Sequence, residues 1–232
     1  MKAQRLRFRY RITPEALGLG QRDLLRAWEE ALTAAALPLS RSEGKHPGPL
    51  IGLAAPLPQG VTSDGELVDV FFAAAVDPAH AMSATAKVMR PGIEVVAVEE
   101  VGVAAPSLQA QLRWAEYDVC VPANGLSEDD LRERIGALLD ARSVPAEYRR
   151  ETKVRAYDLR PLVLDIQYMG PADGAYRLRM RLRAEQENTA RADQTVLALG
   201  LPEAVAVHRR SLHVEDTPSV MQRFRAGRER NG

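Results

Sequence analysis

Two segments of the sequence carry arginine at every second position. The arginines are Arg5, Arg7, Arg9 and Arg11 in the first segment, and Arg177, Arg179, Arg181 and Arg183 in the second. Because side chains alternate between the two faces of a β-strand, each segment predicts a strand with one apolar face and one row of guanidinium groups. Guanidinium groups bind phosphate through paired hydrogen bonds and stack on nucleic-acid bases. The two rows therefore predict a surface that contacts RNA.

The spacing within each row also fits an extended nucleic-acid strand. Side chains on one face of a β-strand repeat about every 6.6–6.8 Å, close to the distance between phosphates in an extended strand. The alternative is that the arginines pair with carboxylates on neighbouring strands, such as Glu66 and Asp69, since charged cross-strand pairs are common. The sequence alone leaves both interpretations open.

A loop rich in glycine and proline, residues 40–49, supplies two further candidate residues. Lys45 and His46 are predicted to contact RNA beside the arginine rows. His46 is also the one weak candidate for acid–base catalysis, because histidine titrates near neutral pH. Catalysis would need a second proton-transfer group, for which the sequence suggests only Tyr10. The spacing of histidine, cysteine and carboxylate residues predicts no metal site and no cofactor.

The chain has 232 residues, with 31 Lys and Arg against 31 Asp and Glu, which excludes a uniformly basic nucleic-acid binder. Residues 1–50 carry 9 basic and 5 acidic residues, residues 51–148 carry 6 and 15, and residues 149–232 carry 16 and 11. Two basic ends thus flank an acidic middle, which we expect to be free for protein contacts. A single cysteine and no long apolar stretch predict a cytoplasmic protein without a membrane segment.

Hydrophobic periodicity and capping residues predict the elements that position these residues. Asp77 and Ser127 are predicted to cap the starts of two helices, and Gly200 the end of another. In the N-terminal half, strands are predicted at residues 5–12, 50–54, 67–73 and 93–101, with helices at 21–36 and 78–89. In the C-terminal half, a linking helix at 107–115 and a strand at 117–121 are followed by helices at 127–141 and 188–199, extended segments near 146–156, 162–169 and 176–182, and a last strand at 204–214. Each half therefore has the order β-α-β-β-α-β, with one extra strand in the second.

Helices that cross over between strands are typical of α+β sandwiches. The fold prediction is two tandem ferredoxin-like (βαββαβ) sandwich units, since each half has about the length of one such domain. The predicted domains are residues 1–104 and 105–217. Residues 218–232 are predicted to form a disordered tail.

Five segments, taken together, resemble a known bacterial family. They are RLRFRYRI at 5–12, DLLRAWEEALTAAALPLSRSEG at 23–44, GLAAPLPQGVTSDGELVDV at 52–70, SLQAQLRWAEYDV at 107–119 and YDLRPLVLDI at 157–166. The combination resembles the radical-SAM-linked protein family, a domain of unknown function whose members are fused to, or encoded beside, a radical SAM enzyme. The resemblance implies a partner that carries a three-cysteine iron–sulfur motif. With one cysteine, this chain cannot hold that cluster itself, so an accessory role is implied.

The chain departs from the family pattern at two places. Members tend to carry a Ser-His pair before the Asp-Leu of the first helix, where this chain has Gly20, Gln21 and Arg22 before Asp23. Members also read Gly-Phe-Asn-Pro-His-Pro in the following loop, which here is Gly44, Lys45, His46, Pro47, Gly48 and Pro49. The loss of a histidine argues against catalysis by this chain alone.

The leading hypothesis is therefore a non-catalytic accessory that binds RNA, either tRNA or rRNA, and presents it to a radical SAM enzyme. One alternative is a metal-independent RNA-cleaving enzyme, since the predicted architecture is similar to that of CRISPR-repeat endoribonucleases of the RAMP superfamily. Another is a module that binds only protein. Salt-insensitive association with a partner and no RNA affinity would favour the protein-binding module, because binding driven by phosphate contacts weakens steeply with added salt.

Overall fold

The structure is a computed structural model that describes residues 2–45, 47–150 and 153–215, with only the backbone of residues 148–150 and 153–155. It divides into two compact units. The first comprises Met1–Leu112 together with the described chain from Val214 onward, and the second comprises Arg113–His213. Helices and mostly antiparallel strands occur in both, which confirms the α+β prediction. The predicted tail at 218–232 lies outside the described residues. Within the described ranges, none of the helices has the length and apolar character needed to cross a bilayer.

The first unit contains the predicted β-α-β-β-α-β order. Its elements are β1 (Gln4–Ile12), α1 (Gln21–Ala34), β2 (Ile51–Leu53), β3 (Val61–Phe72), α2 (Pro78–Val88) and β4 (Ile93–Val101), followed by a short α3 (Leu108–Gln111). The strand order is β4-β1-β3-β2, and all neighbours are antiparallel. β3 begins six residues before its predicted start because Ser63 pairs with Ile12 across the sheet, a contact that local turn signals do not reveal.

The core of the first unit forms between the apolar face of β1 and helix α1. Trp28 of α1 is fully buried, and its ring packs edge-on against Phe8 at 5.4 Å and Tyr10 at 5.1 Å between centroids. Burial of such aromatic rings supplies a large share of the stabilising apolar area. The apolar half of the alternation in β1 is therefore core, as predicted.

A glycine at the start of β4 allows a close approach between two segments. Gly92 has φ +84°, and a Cβ at this position would lie 2.7 Å from both the Cβ and the backbone nitrogen of Ala16. We expect Gly92→Ala to lower the free energy of unfolding by about 2–3 kcal/mol, from steric overlap added to the left-handed conformation. Gly60→Ala is the matched control, since Gly60 has φ +80° but open space around it. Equal loss in the two variants, measured by urea denaturation, would contradict the steric explanation.

The second unit repeats the element order around an inserted hairpin. Its elements are β5 (Leu112–Pro122), α4 (Glu128–Asp140), β6 (Pro145–Arg150), β7 (Lys153–Asp158), β8 (Val163–Ala172), β9 (Ala175–Arg183), α5 (Ala192–Ala198) and β10 (Ala206–Val214). The strand order of the main sheet is β10-β5-β9-β8, while β6 and β7 pair only with each other among the described strands.

The predicted linking helix at 107–115 is wrong over its second half. Only Leu108–Gln111 is helical, and β5 begins at Leu112. Trp114 pairs with Arg183 and Ala115 with Leu182, so cross-strand pairing with β9 determines the conformation here. Tertiary pairing of this kind overrides local helical periodicity.

Predicted helix ends agree with the structure at three places. Asp77 caps α2 by accepting a hydrogen bond of 2.8 Å from the His80 amide, and Ser127 caps α4 by accepting one of 3.1 Å from the Asp130 amide. Gly200 follows α5 with φ +66°, the left-handed conformation common just after a helix. Two of these signals, Ser127 and Gly200, mark the start of α4 and the end of α5 in the second unit.

Candidate nucleic-acid interface

The first arginine row begins inside the protein. The side chains of Arg5 and Arg7 are 2% and 6% exposed, and both bind Asp69 of β3, which is 2% exposed. Nε of Arg5 donates to Oδ2 of Asp69 at 3.0 Å, and Nε of Arg7 donates to Oδ1 at 2.8 Å. One carboxylate thus serves two guanidinium groups.

Both arginines also donate hydrogen bonds to the segment that follows β4. Arg5 donates to the carbonyl oxygens of Ala105 at 2.8 Å and Pro106 at 2.9 Å, and Arg7 donates to Oε1 of Gln111 at 3.2 Å. This segment covers the row, so neither guanidinium reaches solvent. The prediction that Arg5 and Arg7 contact RNA phosphates is therefore wrong, because they fasten residues 105–111 to the sheet.

The other end of the first row is exposed. Arg9 and Arg11 lie on the surface, and Nε of Arg11 is 3.3 Å from Oδ1 of Asp64, with both side chains about half exposed. An ion pair with this exposure contributes little to stability. Contact of Arg9 and Arg11 with RNA stays a prediction.

The second arginine row lies along β9 and alternates as predicted. Tyr176, Leu178, Met180 and Leu182 are buried, whereas Arg177 and Arg181 are exposed and Arg179 and Arg183 are half-buried. The buried face packs toward α4, since the Tyr176 hydroxyl donates to the Leu126 carbonyl at 2.6 Å, just before that helix. The arginines therefore occupy the opposite face of the β10-β5-β9-β8 sheet, which we call the open face.

A carboxylate on β5 pairs with two arginines of the open face. Oδ1 of Asp118 accepts from Nε of Arg179 at 2.9 Å, and Oδ2 accepts from Nη1 of Arg210 at 3.1 Å. Partial burial alone would raise the pKa of Asp118, but the two arginines outweigh it and hold that pKa below its ordinary 3.8. The stabilisation from this cluster is present above that ordinary value and is lost as pH falls through the lowered pKa.

Arg177 and Arg181 differ from Arg179 in their lack of an ion pair. Neither Arg177 nor Arg181 pairs with a carboxylate among the described residues, although Asp165 lies opposite Arg181 in the sheet. Arg183 donates to Glu185 at 2.8 Å and to the Pro161 carbonyl at 3.1 Å. Arg177 and Arg181 are thus the members of the row most available to an anionic ligand.

An aromatic pair on the open face was not predicted from the sequence. The Trp114 and His213 rings stack with centroids 4.4 Å apart and planes 15° from parallel. The guanidinium carbon of Arg181 lies 5.4 Å from the Trp114 ring. The alternation of Trp114 with Glu116 and Asp118 is the sequence signal that places it on this face, but the predicted helix over 107–115 obscured it.

The position of Tyr10 argues against the alternative of an RNA-cleaving enzyme, for which it was the second proton-transfer group. Tyr10 is 1% exposed in the core of the first unit, which removes it as a proton-transfer partner for RNA. Lys45 is exposed in its loop, while His46 lies outside the described residues. No group of three or more metal-ligating side chains occurs within the part of the chain that the structure describes.

Comparison with protein families gives a match over most of the chain. The model of a family described as "Uncharacterized protein conserved in bacteria (DUF2344)" matches residues 5–192. The chain belongs to this family. The description of the family names no radical SAM enzyme, so that part of the resemblance is without support from the comparison. No curated protein matches the sequence.

Several solved structures are similar to the chain over 87% of its length. "Crystal Structure of a Cbf5-Nop10-Gar1 Complex" shares 14% identity with a TM-score of 0.49, and "Structure of H/ACA RNP bound to a substrate RNA containing 2'-deoxyuridine" shares 14% with a TM-score of 0.45. "Crystal structure of the archaeal box H/ACA sRNP Nop10-Cbf5 complex" shares 13% with a TM-score of 0.44. The chain spans 46–48% of those chains. These values are too low to transfer a function.

Proposed function

We propose that the chain binds RNA through the open face of the β10-β5-β9-β8 sheet. The observation that carries the proposal is the pair of exposed guanidinium groups on one strand face, Arg177 and Arg181, which among the described residues have no carboxylate partner. They stand four residues apart, so their strand positions are separated by about 13 Å at the spacing of an extended strand. Arg179, Arg183 and Arg210 are each paired with a carboxylate, so the unpaired positive charge here is that of Arg177 and Arg181.

The open face suits a phosphate backbone better than a protein surface. Non-obligate protein interfaces are depleted of charge at their centre, whereas nucleic-acid interfaces are strongly basic. Here Arg177, Arg179 and Arg181 lie on β9, an inner strand of the β10-β5-β9-β8 sheet, and the apolar residues of β9 face the helices instead. Exposed Arg9, Arg11 and Lys45 of the first unit are proposed to contribute further contacts, as the sequence predicts.

The proposal also covers the architecture of the two units and the identity of a partner protein. The two units are proposed to be tandem ferredoxin-like sandwiches, with the predicted domains 1–104 and 105–217, supported by the equivalent strand orders β4-β1-β3-β2 and β10-β5-β9-β8. A non-catalytic role in presenting tRNA or rRNA to a radical SAM enzyme rests on the sequence resemblance alone. The acidic middle of the chain supplies a surface for that partner.

Binding of the purified full chain to total cellular RNA across a salt series tests the proposal. We expect the logarithm of the binding constant to fall linearly with the logarithm of salt concentration, by about 0.7 per phosphate contact for a single strand. Sequencing the retained RNA identifies its class. Absence of binding at low salt contradicts the proposal and leaves protein contacts as the function.

Asp118→Asn is expected to strengthen RNA binding. The change removes the charge that holds Arg179, so its guanidinium group becomes available to phosphates, while Arg210 keeps its ion pair with Glu116. We expect affinity to rise roughly threefold to tenfold near 0.1 M salt, with a steeper salt dependence. Fluorescence anisotropy with labelled RNA measures the change, and Asp129→Asn, at an exposed carboxylate on the helix side, is the control. Weaker binding by Asp118→Asn would contradict the assignment of this face.

A further inference from the structure

We propose that the Trp114–His213 pair is a stacking site for an unpaired base, so that the ligand of the open face is single-stranded RNA. This inference rests on the proposed RNA-binding function and specifies its substrate class. It is carried by a separate observation, the arrangement of two aromatic rings and a guanidinium group on one exposed sheet face.

The position of the two rings on the sheet makes the pair accessible. Trp114 lies on β5 and is partly exposed, and His213 lies on β10 and is exposed. The neighbouring residues of β5 that face the helices, Ala115 and Tyr117, are buried. A large aromatic side chain is therefore placed on the solvent side of the strand, away from the core that normally takes it.

The groups around the pair match the chemistry of a nucleotide. The rings are near-parallel at 4.4 Å, and Arg181 covers the Trp114 ring at 5.4 Å. A base that continues the stack on His213 would find a π-face for its ring, while Arg181 binds the adjoining phosphate. Arg177, about 20 Å along the sheet from the level of Trp114, binds a phosphate farther along the strand. Stacking of this kind accepts any base, because every base has a π-face.

The same geometry disfavours a duplex. In a double helix the faces of the bases are covered by their neighbours and are not available for stacking on protein rings, and double-stranded RNA is recognised through its shape and backbone. The aromatic pair would then add nothing to binding. Preference for single strands is the specific consequence of the stacking site.

Tryptophan fluorescence provides a direct readout of the stack. The chain has two tryptophans, and Trp28 is fully buried against Phe8 and Tyr10, so a ligand on the open face affects Trp114. The full chain is titrated with an oligouridylate of about 10 nucleotides and with a duplex of the same length. We expect saturable quenching by the single strand and at least tenfold weaker binding of the duplex.

Two substitutions separate stacking from a merely structural role. His213→Ala changes an exposed side chain and is expected to weaken single-strand binding by about tenfold without altering the salt slope, since no phosphate contact is lost. Trp114→Phe keeps an aromatic ring and is expected to lose the quenching signal while affinity stays within about threefold.

The outcomes distinguish this inference from the proposed function. If the oligouridylate binds the wild-type chain and His213→Ala equally, with no quenching, the stacking site is wrong and RNA binding through the arginines stands. Equal affinity for duplex and single strand likewise overturns the stacking site. If neither RNA binds at low salt, the proposed function itself fails.

Discussion

Asp69→Ala is expected to lower the free energy of unfolding by about 3–5 kcal/mol. Asp69 accepts hydrogen bonds from both Arg5 and Arg7, and all three side chains are almost completely buried. Removal of the carboxylate leaves two buried guanidinium groups without their counter-charge. The penalty is that of uncompensated buried charge, and it exceeds what the ion pairs themselves contribute.

The matched control for Asp69→Ala is Asp64→Ala. Asp64 also pairs with an arginine of β1, but its side chain is 57% exposed and that of Arg11 is 48% exposed. Its loss is expected to cost less than about 1 kcal/mol. Urea denaturation followed by circular dichroism measures both, and Asp69→Asn gives a milder variant if the alanine form does not fold. Equal stability of the Asp69 and Asp64 variants would show that Arg5 and Arg7 are not held as described.

The double variant Arg177→Glu, Arg181→Glu is expected to weaken RNA binding by at least tenfold near 0.1 M salt. Two guanidinium groups that face solvent are replaced by carboxylates that repel phosphate. The salt slope is expected to become shallower by about 1.4, from 0.7 for each lost contact. Because neither arginine pairs with a carboxylate among the described residues, the fold is expected to be retained. Electrophoretic mobility shift with salt variation measures the effect.

A second double variant, with the same change of net charge, controls for the overall electrostatic field of the protein. Arg22→Glu, Arg142→Glu makes the same change of net charge at two exposed arginines, one on α1 and one just after α4. Affinity is expected to fall less than threefold, because neither arginine belongs to the strand face that carries Arg177 and Arg181 and the general field of the protein is screened by salt. If both double variants weaken binding equally, the contacts are not specific to the open face.

The element order of both units was predictable because it depends on local periodicity. The alternation in β1 and β9 and the capping residues Asp77 and Ser127 determined strands and helix starts correctly. The two arginine rows, which look equivalent in sequence, have different environments. Alternation predicts which residues share a face, but it does not reveal whether a distant segment covers that face.

The burial of Arg5 depends on contacts a hundred residues away. Its partners Ala105 and Pro106 belong to a segment with no strong periodic signal, and their backbone carbonyls bind the guanidinium group whatever their side chains are. The carboxylate alternative considered from the sequence was correct for Asp69. Hydrogen bonds accepted by backbone carbonyls cannot be predicted from residue types.

The stacked aromatic pair also depends on long-range pairing. Trp114 and His213 are separated by nearly the whole second unit, and they meet because β10 lies beside β5 in the sheet. The order of strands in a sheet cannot be obtained from the periodicity of each strand alone. Once β5 is known to begin at Leu112, the alternation from Trp114 to Asp118 places these side chains on the open face.

Photocrosslinking of RNA to the full chain tests the location of binding most directly. RNA that contains 4-thiouridine is bound at low salt, irradiated and digested, and the adducts are identified by mass spectrometry. The account predicts adducts on β5, β9 and β10 of the second unit, with Trp114 and the neighbourhood of Arg181 among them. Adducts confined to the helix side of that unit, with none on these strands, would contradict it.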